Sequence, residues 1–329
     1  MTVQYPPRPM RVVTAPGSKA EAFCRNYRTG VHPGPVPVPH SEAVAAGFRP
    51  RPALDMRDFG GTVIRDLVYT NFYVGGAASW AASDIRNIDG HLAAAMSDVR
   101  LNNVLVQYFR GAIGITTRFA PSAVLPGAPP AAMTQPDVEQ LVADLQAAGR
   151  LAGFDFAATV FNVLLPRGVV LTIDDGGGAR TTPAAAAPKP ARPPHEVEEK
   201  ASSLEGLGGF HGSIKVGGQR VYYAVGVFSE GGNGIVAFDQ PWKNVVATFY
   251  HELVEARTDA DVEENKVAWV NARGEEIGDI PMALAGANLG KVMKEVPLAD
   301  GSGTVPIQLM WSNAVHGPEG PVAVPHPGH

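Results

Sequence analysis

Val245-Val246-Ala247-Thr248-Phe249-Tyr250-His251-Glu252-Leu253-Val254-Glu255-Ala256-Arg257-Thr258-Asp259 joins the spacing of metal ligands to the pattern of a core helix. Val245, Val246, Phe249, Leu253 and Val254 make an apolar surface that seats one side of a helix in a core. On that helix His251 and Glu255 are four residues apart, so their Cβ atoms stand about 5–6 Å apart on one face, close enough to share one ion. Glu252 sits beside them. The setting matters because a helix anchored by its apolar side holds its polar groups rigidly.

The pattern H-E-x-x-E occurs twice, and context separates the copies. His195-Glu196-Val197-Glu198-Glu199 follows Arg192-Pro193-Pro194 at the edge of a proline- and alanine-rich tract, with no apolar stripe. It reads as a solvated charge run. Elsewhere, Gly286-Ala287-Asn288-Leu289-Gly290-Lys291-Val292 is one residue short of a P-loop and lacks the Ser/Thr that holds magnesium. There is no G-x-S-x-G and no G-x-G-x-x-G after a strand, so neither a nucleophile elbow nor a dinucleotide cofactor is indicated.

The chain has 329 residues, 45% of them hydrophobic, enough for one large domain or two modest ones. With a net charge of −5 and no dense Lys/Arg block, it lacks the footprint of a nucleic-acid binder. No apolar run approaches the roughly 20 residues of a membrane span, and Met1 to Pro16 contains no apolar leader core. Cys24 is the single cysteine, so no intramolecular disulfide and no cysteine-based zinc site can form. These features favour the cytoplasm, or secretion if a leader has been removed.

Residues 1–60, with Pro33, Pro35, Pro37 and Pro39 in alternation, read as an extended N-terminal arm. A strand is expected at Thr62–Val74, a helix at Ser79–Val99, strands at Asn103–Phe109 and Gly114–Phe119, and a helix at Pro136–Ala148 capped by Thr134 and Asp137. Ala157–Ile173 is β-prone, and residues 175–203 read as a mobile low-complexity insertion. His211–Val216 and Arg220–Phe228 form a hairpin across Gly217-Gly218. Residues 61–174 and 204–316 then make a single metal-binding domain, followed by a tail at 317–329. Strand and helix signals do not alternate regularly, which favours α+β with a mixed sheet over a doubly wound fold.

Two helical ligands do not complete a catalytic zinc site, which normally has three plus an open position. The candidates are Asp259, Asp261, Glu275, Glu276 and Asp279. Asp261 is disfavoured because Thr258 stands where a returning third ligand needs glycine. The segment Val267–Asn271 reads as a short strand, followed by a turn at Asn271 to Gly274 and an acidic cluster able to face the helix.

His251-Glu252-Leu253…Ala256…Thr258-Asp259 with later carboxylates resembles the thermolysin-like gluzincins, and through them the zincin signature H-E-x-x-H with a carboxylate in place of the second histidine. That resemblance implies a downstream glutamate as third ligand and a nearby aspartate orienting the first histidine. Tyr69-Thr70-Asn71-Phe72-Tyr73-Val74-Gly75-Gly76 with Trp80, Phe210-His211-Gly212-Ser213 before Tyr222-Tyr223-Ala224-Val225, the H-E-x-x-E helix with Glu276-Ile277-Gly278-Asp279, and Trp311-Ser312-Asn313-Ala314 together resemble the exordium-like, phosphate-induced family and its bacterial relatives over residues 66–315. By that resemblance Glu276 and Asp279, rather than Glu275, join His251 and Glu255 as metal residues. The cysteines common in relatives after E-I-G-D and W-S-N are replaced here by Ile280-Pro281 and Val315-His316, so no linking disulfide carries over.

The implied fold is a zincin-like α+β metallohydrolase domain, and the implied activity a zinc-dependent peptidase acting on peptide or protein. Glu252 would be the general base, with His211, or Tyr222 or Tyr223, stabilising the oxyanion or protonating the leaving amine. Tyr223 is the preferred tyrosine. One histidine with two carboxylates neutralises zinc, which weakens its Lewis acidity and lets manganese or calcium compete. The alternative is a non-catalytic module for peptide or polysaccharide in which the ion braces the fold.

Overall fold

The β-branched and aromatic run near residue 70 folds as strand β1, Asp66–Tyr73, in the computed structural model, which describes residues 44–173, 201–262 and 267–326. Beside it lie β2 (Thr116–Phe119), β3 (Thr159–Leu165), β4 (Gly209–Val216) and β5 (Gln219–Val227). The sheet order is β2-β1-β3-β5-β4, with the short Ala123–Val124 strand also pairing with β1. Neighbouring pairs from β2 to β5 are parallel, and only β4 runs antiparallel, on the edge. Gly217 and Gly218, at φ 58° and 82°, make the tight β4–β5 turn that positive φ permits. The class is α+β with a mixed sheet, as expected, but its parallel share exceeds what irregular sequence alternation suggested.

Helices cover both faces: α1 (Ala82–Ser97), α2 (Val99–Leu105), α3 (Gln135–Ala147), α4 (Pro241–Thr258) and α5 (Asp279–Ala285). Alternation along the strands divides the core. Tyr69, Tyr73, Val160 and Leu164 pack with Ile88 and Leu92 of α1 and Phe249 and Leu253 of α4. Phe72, Phe161, Val163 and Tyr223 face Val138, Val142 and Leu145 of α3 on the other side. The capping box at the start of α3 forms as read, Thr134 accepting from the Asp137 N–H and Asp137 from the Thr134 N–H. Such a cap contributes about 1 kcal/mol.

One expected strand is helical. Residues 99–105 form α2 and 106–108 a 3₁₀ turn, because the Asp98 carboxylate accepts from the Arg100 and Leu101 N–H groups and starts a helix there. Leu101 to Phe109 are all buried, so no amphipathic period marks the helix in the sequence.

The α4 helix is more deeply placed than a one-sided apolar stripe implies: every residue from Asn244 to Thr258 is buried. It lies over β4 and β5, against α1, and against the strand Thr304–Gln308. Gly226 permits the close approach, since a β-carbon there would lie 2.9 Å from Phe249 Cε2. Fully burying a side chain such as Phe249 contributes about 1.5–3 kcal/mol, which helps hold the helix while it carries polar groups inward.

The described part of the expected arm packs on the body, with the Ala45 N–H donating to Pro318 O and the Arg51 N–H to His316 O. Gly317–Glu319, from the expected tail, pairs with Met310–Ser312. Ala201–Ser202 pairs with Val170–Ile173, so the end of the expected insertion is part of a small sheet. The rest of that insertion, Cys24 and the His195 motif lie outside the described residues. Among the described residues, no helix is long and apolar enough to cross a membrane.

Candidate metal centre

Strand β4 and helix α4 bring a histidine each to one buried cluster. His211 opposes Ala224 in the β4–β5 register and so points to the face that α4 covers. Its Nδ1 lies 3.5 Å from Glu252 Oε2 and 3.8 Å from Glu255 Oε2. One helical turn links the other pair, placing His251 Nε2 3.0 Å from Glu255 Oε2 and 3.9 Å from Asp279 Oδ1. His211, His251, Glu252, Glu255 and Glu276 are fully buried, whereas the Asp279 side chain is 20% exposed.

The outer bonds of the two rings fix which nitrogen faces the carboxylates. The Gln308 amide donates from Nε2 to the Gly278 carbonyl at 2.6 Å, so its Oε1 must face His251 Nδ1, 2.9 Å away. His251 Nδ1 is therefore the protonated nitrogen, and the Nε2 lone pair looks toward Glu255 and Asp279. His211 Nε2 lies 3.2 Å from the Asp259 carbonyl, which can only accept, so His211 Nδ1 carries the lone pair toward Glu252 and Glu255. Lone pairs facing carboxylates repel unless a cation, either a proton or a metal ion, lies between them.

The acidic loop is held to the helix through Glu255. Its Oε1 accepts from the N–H groups of Gly278 and Asp279 at 3.1 and 3.2 Å, while Oε2 has no hydrogen-bond partner among the described residues. Glycine is required at 278 by space: a β-carbon would lie 2.4 Å from His251 Nδ1 and 2.9 Å from Glu255 Oε1. From the C-terminal side, the Trp311 N–H donates to Ile277 O, so the W-S-N strand steadies the same loop.

Burial and crowding shift Glu276, Asp279 and Asp259 upward. Burial, reinforced by Glu255, Asp259, Asp279 and Glu252, holds the Glu276 carboxyl well above its usual range, and both its oxygens lack hydrogen-bond partners among the described residues. Glu276 Oε1 stands 3.7 Å from His211 Nε2. Burial, then Glu255 and Glu252 against the opposing His251, also raises Asp279 well above normal. Asp259 is pushed up to about 8, chiefly by burial, which the Ala268 N–H partly offsets. For His251, burial disfavours the charged ring, but Glu255, Asp279 and the Gln308 hydrogen bond reverse this and raise its pKa.

Of the residues singled out in the sequence, His211, His251, Glu252, Glu255, Glu276 and Asp279 meet in this cluster. Tyr223 does not: it packs edge-on against Phe210 in the core on the α3 side, because β5 side chains alternate and His211 belongs with Ala224. Tyr222 is the tyrosine on the α4 side. Asp261 is engaged by Arg220 and Ser213, and Glu275 by Asn271, so neither points into the cluster. Gln308 has no sequence signal, since a lone glutamine 57 residues from its histidine belongs to no local motif.

The donors fit a hard or borderline divalent cation: two imidazole nitrogens with their outer N–H groups anchored, carboxylates, and no cysteine. No protein-family model, curated protein or solved structure matches the chain.

Proposed function

We propose that this protein is a divalent-metal-dependent hydrolase of zincin-like construction that cleaves amide bonds in a peptide or protein. One observation carries the reading: the lone pairs of two buried, outwardly anchored histidines converge on the carboxylates of an H-E-x-x-E helix, beside a partly exposed Asp279. A mixed sheet with its antiparallel edge strand lying under that helix supports the zincin-like part. The meeting of Glu255 with Gly278 and Asp279 supports the resemblance to the exordium-like family, whose specific feature is H-E-x-x-E followed by E-I-G-D.

A bound zinc or manganese ion supplies Lewis acidity and an acidified water, with a pKa toward about 7 in the zinc case. A single ion would be held by His251, Glu255 and Asp279; Glu252 would then be the neighbouring carboxylate that takes a proton, with His211 Nδ1 3.5 Å from it. Asp279, its side chain 20% exposed, is the member of the cluster that reaches solvent. Two carboxylates and one imidazole leave a divalent ion neutral, so manganese or calcium competes with zinc.

The burial of the remaining donors favours one other reading, a binding module for peptide or polysaccharide in which the ion only braces the fold. The deciding experiment measures metal content and peptide cleavage for wild type and Glu252→Gln. Cleavage by wild type alone, with at least one ion still bound by each, supports the hydrolase. Metal kept by both with cleavage by neither establishes the module.

A further inference from the structure

The donor atoms of the cluster fall into two triads rather than one cage. His251, Glu255 and Asp279 form one and His211, Glu252 and Glu255 the other, each with its donor atoms within 4.8 Å of one another; the two imidazoles do not share a triad. A single ion with ligands at about 2.0–2.2 Å gathers its donors to within about 4.4 Å of each other, so two imidazoles in separate triads call for separate ions. Glu255 is common to both. Because the Gly278 and Asp279 N–H groups occupy its Oε1, only Oε2 is directed into the cluster, 3.0 Å from His251 Nε2 and 3.8 Å from His211 Nδ1.

We infer that the centre holds two divalent cations bridged by Glu255 Oε2, one bound by His251 and Asp279 and the other by His211 and Glu252. Glu276 Oε1 lies 3.7 Å from the other ring nitrogen, His211 Nε2, so it neighbours the ring without joining either triad, and both its oxygens lack hydrogen-bond partners among the described residues. Charge supports the count. Glu252, Glu255, Glu276 and Asp279, with the buried Asp259 beside them, gather five carboxyl groups in a region closed to water apart from Asp279; two divalent ions offset four negative charges there and one ion only two. A shared carboxylate oxygen suits the separation of about 3.5–4 Å typical of two-metal hydrolytic sites, where both ions clamp the reacting oxygens. The inference rests on reading the cluster as a metal centre, and it turns Glu252 from a proton acceptor into a ligand.

The test uses the full chain stripped by chelator and titrated with Mn²⁺ alone and, separately, Zn²⁺ alone. Bound metal per chain is read by elemental analysis after desalting, and the Mn²⁺ form by electron paramagnetic resonance. Wild type is expected to take up two ions per chain with either metal, with manganese hyperfine lines broadened by spin coupling at the second equivalent. His211→Ala and the shape-conserving Glu252→Gln are expected to bind one, with an uncoupled spectrum. Saturation of wild type at one ion with both metals overturns the two-ion centre while leaving the metal centre standing. Failure to bind either metal overturns both. The wild-type stoichiometry decides the matter even if a variant fails to fold.

Discussion

Gln308 and His251 are joined by a 2.9 Å hydrogen bond whose direction is set from the far side of the amide, where Gln308 donates to the Gly278 carbonyl at 2.6 Å. The glutamine thus chooses the tautomer of a ring 57 residues away and links it to the acidic loop. Replacing it with leucine removes the acceptor from His251 Nδ1 and leaves the Gly278 carbonyl with only the longer bond from the Met282 N–H, at 3.3 Å. Gln308→Leu is expected to weaken divalent-metal binding by about 10–100-fold, as loss of a partner behind a metal-binding histidine does. Titration calorimetry checks this, and affinity equal to wild type removes Gln308 from the site.

Gly278→Ala tests the same junction sterically. At φ −90° the backbone tolerates alanine, so any cost comes from the new methyl, which would lie 2.4 Å from His251 Nδ1. Overpacking of this kind costs about 1–3 kcal/mol. The expected result is a lower unfolding midpoint in denaturant together with reduced metal content in the folded fraction. A variant as stable and as metal-loaded as wild type would show that the loop stands farther from the ring.

The metal-free protein should lose stability as pH rises. Glu276, Asp279 and Asp259 have folded-state pKa values above the ordinary carboxylate range, Asp259 at about 8, so between their unfolded values and these the folded state binds more protons than the unfolded chain. His251 is also raised and acts with the same sign above its ordinary value of 6.5. Stability from all four is complete below their unfolded pKa values and is lost as pH climbs through the folded ones. Chelated protein should therefore melt at progressively lower temperature from about pH 5 to pH 8, and added Mn²⁺ or Zn²⁺ should restore most at pH 8, because metal and protons compete for the same atoms. A melting temperature of chelated protein that is flat or rising over that range contradicts the arrangement.

Arg257 makes the opposite kind of contribution, away from the cluster. Its buried guanidinium donates to Arg65 O at 2.6 Å, Thr116 O at 3.0 Å and Thr117 Oγ1 at 3.2 Å, tying the end of α4 to the segments at the starts of β1 and β2. Arg257→Met keeps the apolar stem but removes all these donors, leaving Arg65 O only the 3.4 Å bond from the Thr116 N–H, for an expected loss of about 2–4 kcal/mol in folding stability. Metal per folded chain should stay at the wild-type value. Loss of metal without loss of stability would mean that Arg257 serves the site rather than the fold.

The α4 helix, the Thr134 capping box, the β4–β5 hairpin and the meeting of His251 with Glu255 were legible in the residues themselves, because each depends on groups a few positions apart whose geometry is set by helix, cap or turn. The parallel pairing of β2, β1, β3 and β5 was not, since no local signal says which distant strand becomes a neighbour. Residues 103–109 misled for a related reason: burial on every side erases the period that distinguishes helix from strand. Tertiary register alone turned His211 toward α4 and Tyr223 away from it. It also set Gln308 behind His251 and divided the donors into two triads about Glu255. Sequence spacing governs which groups one turn can bring together, but which face a strand presents and which distant side chain arrives there follow from packing of the whole chain.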